Sequence, residues 1–211
     1  TTWFVNSMSD LFHESVSLEE LFEIASVMLA TPQHTYQVLT KRPERMAEAW
    51  AEVLDLLQDA VDATSITPTN VNPLPNVWLG VTVENQKAAD ERIPFLLQTP
   101  AAVRFLSCEP LLEEIDINKA MYPDGGYSCF GFFDGFGYEV FLQWVIVGGE
   151  SGTNARPCKV DHIRSIVKQC RDANVPVFVK QLGSNADYPV AGKGSNIDEF
   201  PDDLKVRGLP V

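Results

Sequence analysis

Short apolar runs recur along the chain and alternate with longer segments in which apolar residues lie three or four positions apart. Near-continuous apolar runs of a few residues are typical of parallel strands that are covered on both faces. A spacing of three or four residues is typical of amphipathic helices. Runs of the first kind predict six strands, at residues 3–5, 36–39, 77–81, 103–106, 144–147 and 177–179.

Helical periodicity fills four of the five intervals between these runs. Ser17 and Glu20 have the spacing of a capping box at the start of the first helix. Asp161 is predicted to cap the fourth helix. Because strands and helices alternate, we expect a parallel sheet with right-handed crossovers. The predicted helices cover about 18–29, 44–61, 88–97 and 163–170.

This order of elements predicts an α/β fold, a partial (β/α) TIM-like barrel of about six parallel strands. The chain runs into a strand at Trp3 without an initiator Met, so we expect the N-terminal part of the barrel to be missing. Residues 1–183 form the predicted barrel, with a glycine-rich insertion at about 116–138. Residues 184–211 are predicted to be an irregular tail. A doubly wound sheet has the same pattern and stays an alternative.

Composition narrows the classes of partner. The chain has 211 residues, with 29 acidic against 16 basic side chains and a net charge of −13. Such a charge argues against a generic DNA-binding surface, which needs Lys and Arg. No apolar stretch approaches the roughly 18 residues of a membrane span, so no membrane partner is expected. The four cysteines are scattered without a CxxC pair, which favours reduced thiols and a cytoplasmic location. The oligomeric state is left open.

Polar, charged and glycine residues follow every predicted strand. In parallel α/β folds, ligands bind beyond the carboxyl ends of the strands. A turn or a helix cap explains any one of these segments, but six together predict a binding rim for a phosphate-bearing or other anionic ligand. The candidate residues, in strand order, are Asn6, Ser7 and Asp10; Thr40, Lys41 and Arg42; Thr82 and Glu84; Ser107 and Glu109; Gly148, Gly149, Glu150 and Ser151; and Lys180.

The GGESG segment at 148–152 is the most distinctive of the six. Glycines allow the backbone to approach a ligand closely, and successive amides can form an anion-binding nest. The segment matches neither a dinucleotide fingerprint nor a Walker loop, and a tight turn is the alternative. Lys41 and Arg42 supply cations that suit an anionic ligand, although surface salt bridges explain them equally well.

Glu109 and Lys180 are the candidate catalytic residues. Glu84, Glu109 and Glu150 converge if the barrel closes, and they could then serve as acid or base groups or hold a ribose or an amino group. Lys180 ends an apolar strand, where a desolvated amine could form a Schiff base. An ordinary contact with an anion is the alternative for Lys180. No metal site is predicted among the residues of this chain.

The motifs also resemble a known family. Six segments carry the resemblance: FVNSMSDLFHE, QVLTKRPERM, VWLGVTVENQ, RFLSCEPLL, WVIVGGESGTNARP and VFVKQLG. Together they resemble a phage-encoded, radical-SAM-like family of uncharacterised barrel proteins with an N-terminal three-cysteine motif. The resemblance covers nearly the whole chain outside the 116–138 insertion.

This resemblance implies S-adenosylmethionine and a [4Fe–4S] cluster as cofactors, with Gly148, Gly149, Glu150 and Ser151 at the cofactor and the other rim residues around a substrate. No cysteine trio in the chain has cluster-ligand spacing, so we expect the cluster ligands to lie outside it. The substrate is then a small molecule or a nucleic-acid derivative. Two alternatives stay open: a cofactor-free enzyme that uses Lys180 as a Schiff-base amine, and a non-catalytic phage-derived protein that binds a ligand or partner. Whether the chain is an enzyme is therefore undecided at this point.

Overall fold

Parallel strands and helices alternate along the chain. The computed structural model describes residues 1–64, 70–121, 131–133 and 139–210. The strands of the main sheet are β1 (Thr2–Val5), β2 (Thr35–Thr40), β3 (Val77–Thr82), β4 (Val103–Cys108), β7 (Trp144–Gly148) and β8 (Val177–Gln181). The helices are α1 (Leu18–Ala30), α2 (Pro43–Thr64), α3 (Gln86–Gln98), α4 (Ile117–Met121) and α5 (Val160–Asp172). A separate antiparallel pair comprises β5 (Gly131–Phe133) and β6 (Glu139–Phe141).

The main sheet has the strand order β1-β2-β3-β4-β7-β8. Each strand contains one of the six apolar runs, because such runs bury side chains on both faces of a covered sheet. The predicted α/β fold, a partial (β/α) barrel with six parallel strands, is therefore confirmed. The four predicted helices are also present, each within a few residues of its expected bounds.

The chain divides into two compact units. Unit 1 comprises Thr1–Val81 and Phe95–Arg104, and unit 2 comprises Thr82–Pro94 and Phe105–Val211. Within unit 1, α1 packs on α2, and the rings of Phe12 and Trp50 meet edge to face with centroids 6.2 Å apart. Both rings are buried, so this contact belongs to the core of unit 1.

The two predicted helix caps have different outcomes. Ser17 and Glu20 form the predicted capping box of α1, in which each side chain accepts from the other residue's backbone amide. The prediction for Asp161 is wrong, because the N-cap of α5 is Lys159 and makes no side-chain cap. A carboxylate oxygen of Asp187 accepts from the amide of Val160 at 2.7 Å instead. A distant residue therefore caps α5.

The insertion and the tail belong to unit 2. Residues 117–121, 131–133 and 139–141 form α4, β5 and β6, while residues 122–130 and 134–138 of the predicted insertion lie outside the described part. The tail contains two 3-10 helices, Ile197–Glu199 and Asp202–Leu204. It also lies along β8, where the amide of Val179 donates to the carbonyl of Val206 at 2.9 Å. The division at residue 183 stays a prediction.

Candidate functional site

The polar residues after β1 and β2 meet within unit 1. The Asp10 carboxylate accepts from Thr40 Oγ1 at 2.7 and 2.9 Å, from the amide of Lys41 at 3.1 Å and from Arg42 Nη1 at 3.3 Å. It also accepts from the amide of Phe12 at 3.0 Å. This carboxylate therefore joins the two loops, and its oxygens accept hydrogen bonds from protein groups.

Asn6 and Ser7 lie in the turn that follows β1. Asn6 adopts a left-handed conformation, with φ of 55°. Its carbonyl accepts from the amide of Ser9 at 3.1 Å, which closes the turn. Asparagine tolerates this conformation better than most residues. The turn alone therefore explains why asparagine suits position 6.

Three carboxylate–cation pairs lie near the carboxyl ends of β3, β4, β7 and β8 within unit 2. Glu84 pairs with Arg92 at 2.9 Å, Glu109 with Lys180 at 2.8 Å, and Glu150 with Arg156 at 2.7 Å. These six residues are called the rim of unit 2. Since all three predicted carboxylates are held by cations, the rim presents fixed charges of both signs.

The Glu84–Arg92 pair is the least exposed of the three rim pairs. Both of its side chains are less than one-fifth exposed, and Arg92 also donates to the carbonyl of Thr82 at 2.6 Å. The side chains of Thr82 and Ser107, two further candidates, are buried. The carbonyl of Ser107 accepts from the amide of Val83 at 2.9 Å. Thr82 and Ser107 thus lie beneath the rim surface and do not present their hydroxyls to solvent.

A bulge in β8 sets the position of Lys180. Val147 of β7 is opposite Val179, whereas the next residue, Gly148, is opposite Gln181. Lys180 is the extra residue, and a bulge of this kind redirects its side chain. The side chain is 54% exposed and bound to Glu109, whose own side chain is 17% exposed. The condition for a Schiff-base amine, desolvation of Lys180, is therefore not met.

Arg156 binds Glu150 with three hydrogen bonds. Its Nε and Nη2 donate to the two carboxylate oxygens at 2.7 and 3.1 Å, and its amide donates at 2.9 Å. Hydrogen bonds from the guanidinium, and then from the amide, hold the pKa of Glu150 down to about 2. The pKa of Arg156 is raised by Glu150 and, to a smaller extent, by the charge of Glu84. The Glu84 and Glu150 pairs are thus electrostatic neighbours.

Packing between strands explains the glycines of the GGESG segment. A Cβ on Gly149 would lie 2.2 Å from the carbonyl oxygen of Leu182, and one on Gly148 would lie 2.8 Å from that of Gln181. The amide of Gly149 donates to the Gln181 carbonyl at 3.1 Å, and the amide of Gly152 donates to Ser184 Oγ at 3.1 Å. At least two amides of the predicted anion nest therefore bind protein. Ser151 is exposed beside them.

The described cysteines do not fit an iron–sulfur cluster. Cys108, Cys158 and Cys170 are buried free thiols. Burial raises the pKa of all three, that of Cys158 to about 11 and that of Cys170 to about 12. Within the described ranges, no group of three or more His, Cys, Asp or Glu side chains could hold a metal ion. Cys129 lies outside those ranges.

Sequence reasoning missed Arg92 and Arg156. Arg92 lies on α3, eight residues after Glu84, and Arg156 lies in the loop that follows GGESG. A signal was available for Arg156, because an arginine six residues after a glutamate within one glycine-rich loop is close enough to pair with it. Nothing comparable marks the pairing of Glu109 with Lys180, 71 residues apart.

The fold and the rim define a parallel α/β protein with a charged site at the carboxyl ends of its strands. The chain belongs to the DUF5131 family, described as a protein of unknown function, whose model matches residues 1–200. No curated protein and no solved structure matches the chain. In the part of the chain that the structure describes, no helix has the length and hydrophobicity needed to cross a membrane.

Proposed function

We propose that the rim of unit 2 binds S-adenosylmethionine and that the chain is the barrel portion of a radical-SAM-like enzyme. The observation that carries this proposal is the set of three carboxylate–cation pairs at the carboxyl ends of parallel strands. Ligands of parallel α/β folds bind at that edge. The resemblance of the six motifs to radical-SAM-like barrels gives the class of ligand.

The charges of the rim suit this ligand. S-adenosylmethionine carries an ammonium, a carboxylate, a sulfonium and a ribose, so it needs acceptors and cationic donors close together. Glu109 uses Oε2 to bind Lys180, which leaves Oε1 available to accept from the ligand's ammonium or hydroxyl groups. Lys180 and Arg156 offer cationic donors for its carboxylate. These residues would hold and orient the ligand.

Radical cleavage of the ligand needs a reductant that the described residues do not hold. Iron–sulfur clusters are held by several cysteine thiolates, and no group of three or more His, Cys, Asp or Glu side chains among the described residues could hold a metal ion. Ligands for a cluster would have to come from outside the described residues. This chain is accordingly proposed to bind the sulfonium compound, and the cysteines described here have no part in its cleavage.

One alternative gains support from the same geometry. All three rim carboxylates are paired with cations, and a carboxylate in a tight ion pair is a poor general base. This favours ligand binding without turnover as the second candidate function. The Schiff-base alternative is not favoured, because Lys180 is half exposed and ion-paired. Product formation from bound S-adenosylmethionine would separate the enzyme from the non-catalytic binder.

Isothermal titration of the full chain with S-adenosylmethionine tests the proposal. We expect saturable binding that Glu109→Gln weakens about tenfold, because one charge-assisted hydrogen bond is worth about that factor. Arg164→Gln is the matched control, since Arg164 is ion-paired on α5 outside the rim. The control should bind like the wild type. Absence of binding at millimolar ligand, or equal affinities in all three proteins, would contradict the proposal.

A further inference from the structure

The three pairs of the rim differ in which charge faces solvent. In the Glu150 pair, Arg156 is 55% exposed and the carboxylate 30%. In the Glu109 pair, the cation is likewise the more exposed partner. In the Glu84 pair, the side chains of Glu84 and Arg92 are exposed to nearly the same extent. Two of the three pairs therefore direct a cation outward, although the chain as a whole carries a net charge of −13.

Arg156 has unused donors as well as exposure. A guanidinium has five N–H groups, and Glu150 takes two of them. Within the described residues, the other three make no hydrogen bond. The bidentate contact fixes the plane of the group, so the remaining N–H groups point away from Glu150 in a defined direction.

The loop does not need the guanidinium for its closure. The main-chain amide of Arg156 already donates to Glu150 at 2.9 Å, and the amide of Ala155 donates to the carbonyl of Gly152 at 3.3 Å. A Cβ on Gly152 would meet nothing within 4 Å, so the surface beside the loop is open. An oriented cation next to open space is arranged for a ligand that approaches from solvent.

We propose that Arg156, oriented by Glu150, binds the carboxylate of the rim ligand. This inference rests on the proposed function, because it takes the ligand to be S-adenosylmethionine. A carboxylate matches the fork of donors that Glu150 leaves free. Arg156 is then a binding residue, and Glu150 is a positioning residue that acts through it.

A pair of ligands that differ only in the carboxylate tests this assignment. Titrations would use S-adenosylmethionine and its decarboxylated analogue, S-adenosyl-3-methylthiopropylamine, against wild type and Arg156→Gln. We expect the substitution to weaken the binding of S-adenosylmethionine about tenfold and the binding of the analogue less than about twofold. Because Arg156 is exposed and an exposed ion pair contributes little to stability, the variant should melt within a few degrees of the wild type. Arg164→Gln should change neither affinity.

The possible results of these titrations distinguish an error in the role of Arg156 from an error in the proposed function. An equal loss for both ligands, or no loss for either, would overturn the role of Arg156 and leave the proposed function standing. Absence of S-adenosylmethionine binding by the wild type would overturn the proposed function and this inference together. A loss confined to the ligand that has the carboxylate supports both.

Discussion

Ion pairing decides what each carboxylate of the rim does at neutral pH. Glu150 has a pKa held down to about 2 by Arg156, so it is fully charged in any ordinary buffer. A general base works best with a pKa near the operating pH, and Glu150 is far from that condition. Because the pKa of Glu150 is depressed, its pairing with Arg156 contributes fully to the stability of the folded state at pH values above the ordinary pKa range of a glutamate. That contribution is lost as the pH falls toward about 2.

The buried thiols give a prediction at the scale of single residues. Burial raises the pKa of Cys108, Cys158 and Cys170, and a raised pKa leaves little reactive thiolate at pH 8. In a Cys129→Ser variant, which removes the cysteine outside the described residues, Ellman's reagent should label no thiol of the native protein within minutes. The same protein in guanidinium chloride should release three equivalents.

One rapidly labelled thiol in the native variant would contradict this expectation. It would mean that the site of that thiol opens readily or that the thiol is ionised by a neighbouring cation. Repeating the titration at pH 9 separates the two explanations, because the rate for an accessible thiol of ordinary pKa rises strongly between pH 8 and 9.

At the scale of elements, strand ends were predictable but contacts between them were not. Apolar runs mark strands because both faces of a parallel sheet are covered, and the polar residues beyond them were correctly placed at strand ends. The Lys180 bulge depends on the relative register of β7 and β8, which no local pattern contains. The prediction that Asp161 caps α5 was wrong for the same reason, since the cap is Asp187, which lies 27 residues from Val160 in the sequence.

The contact between β7 and β8 gives a prediction that separates packing from ligand binding. Gly149→Ala would place a methyl group against the carbonyl of Leu182. Because backbone must move to relieve this overlap, we expect the free energy of unfolding to fall by about 2–3 kcal/mol. Denaturation in urea measures the change. Ser151→Ala, an exposed neighbour in the same loop, should stay within about 0.5 kcal/mol of the wild type.

A Gly149→Ala protein with wild-type stability would reverse this interpretation. It would show that the strands can separate slightly at no cost, and the glycine would then be available to bring the backbone close to a ligand. The affinity of the variant for S-adenosylmethionine would in that case become the informative measurement.

For the whole molecule, the excess of negative charge sets the response to salt. At low ionic strength, unscreened charges repel over tens of ångströms, and a net charge of −13 destabilises the compact state. Salt also weakens exposed ion pairs such as Lys87–Glu91. Such pairs contribute at most about 1 kcal/mol each, so the relief of the general repulsion should be the larger effect.

We therefore expect the melting temperature to rise by a few degrees when NaCl is increased from 10 to 150 mM, where the screening length falls from about 30 to about 8 Å. Differential scanning calorimetry measures the shift, and an equal rise in KCl would assign it to ionic strength and not to binding of sodium. A fall in melting temperature would mean that the ion pairs outweigh the net charge. Exposed pairs such as Lys87–Glu91 would then be the first to examine, because salt screens them more than it screens Glu84 and Arg92, both less than one-fifth exposed.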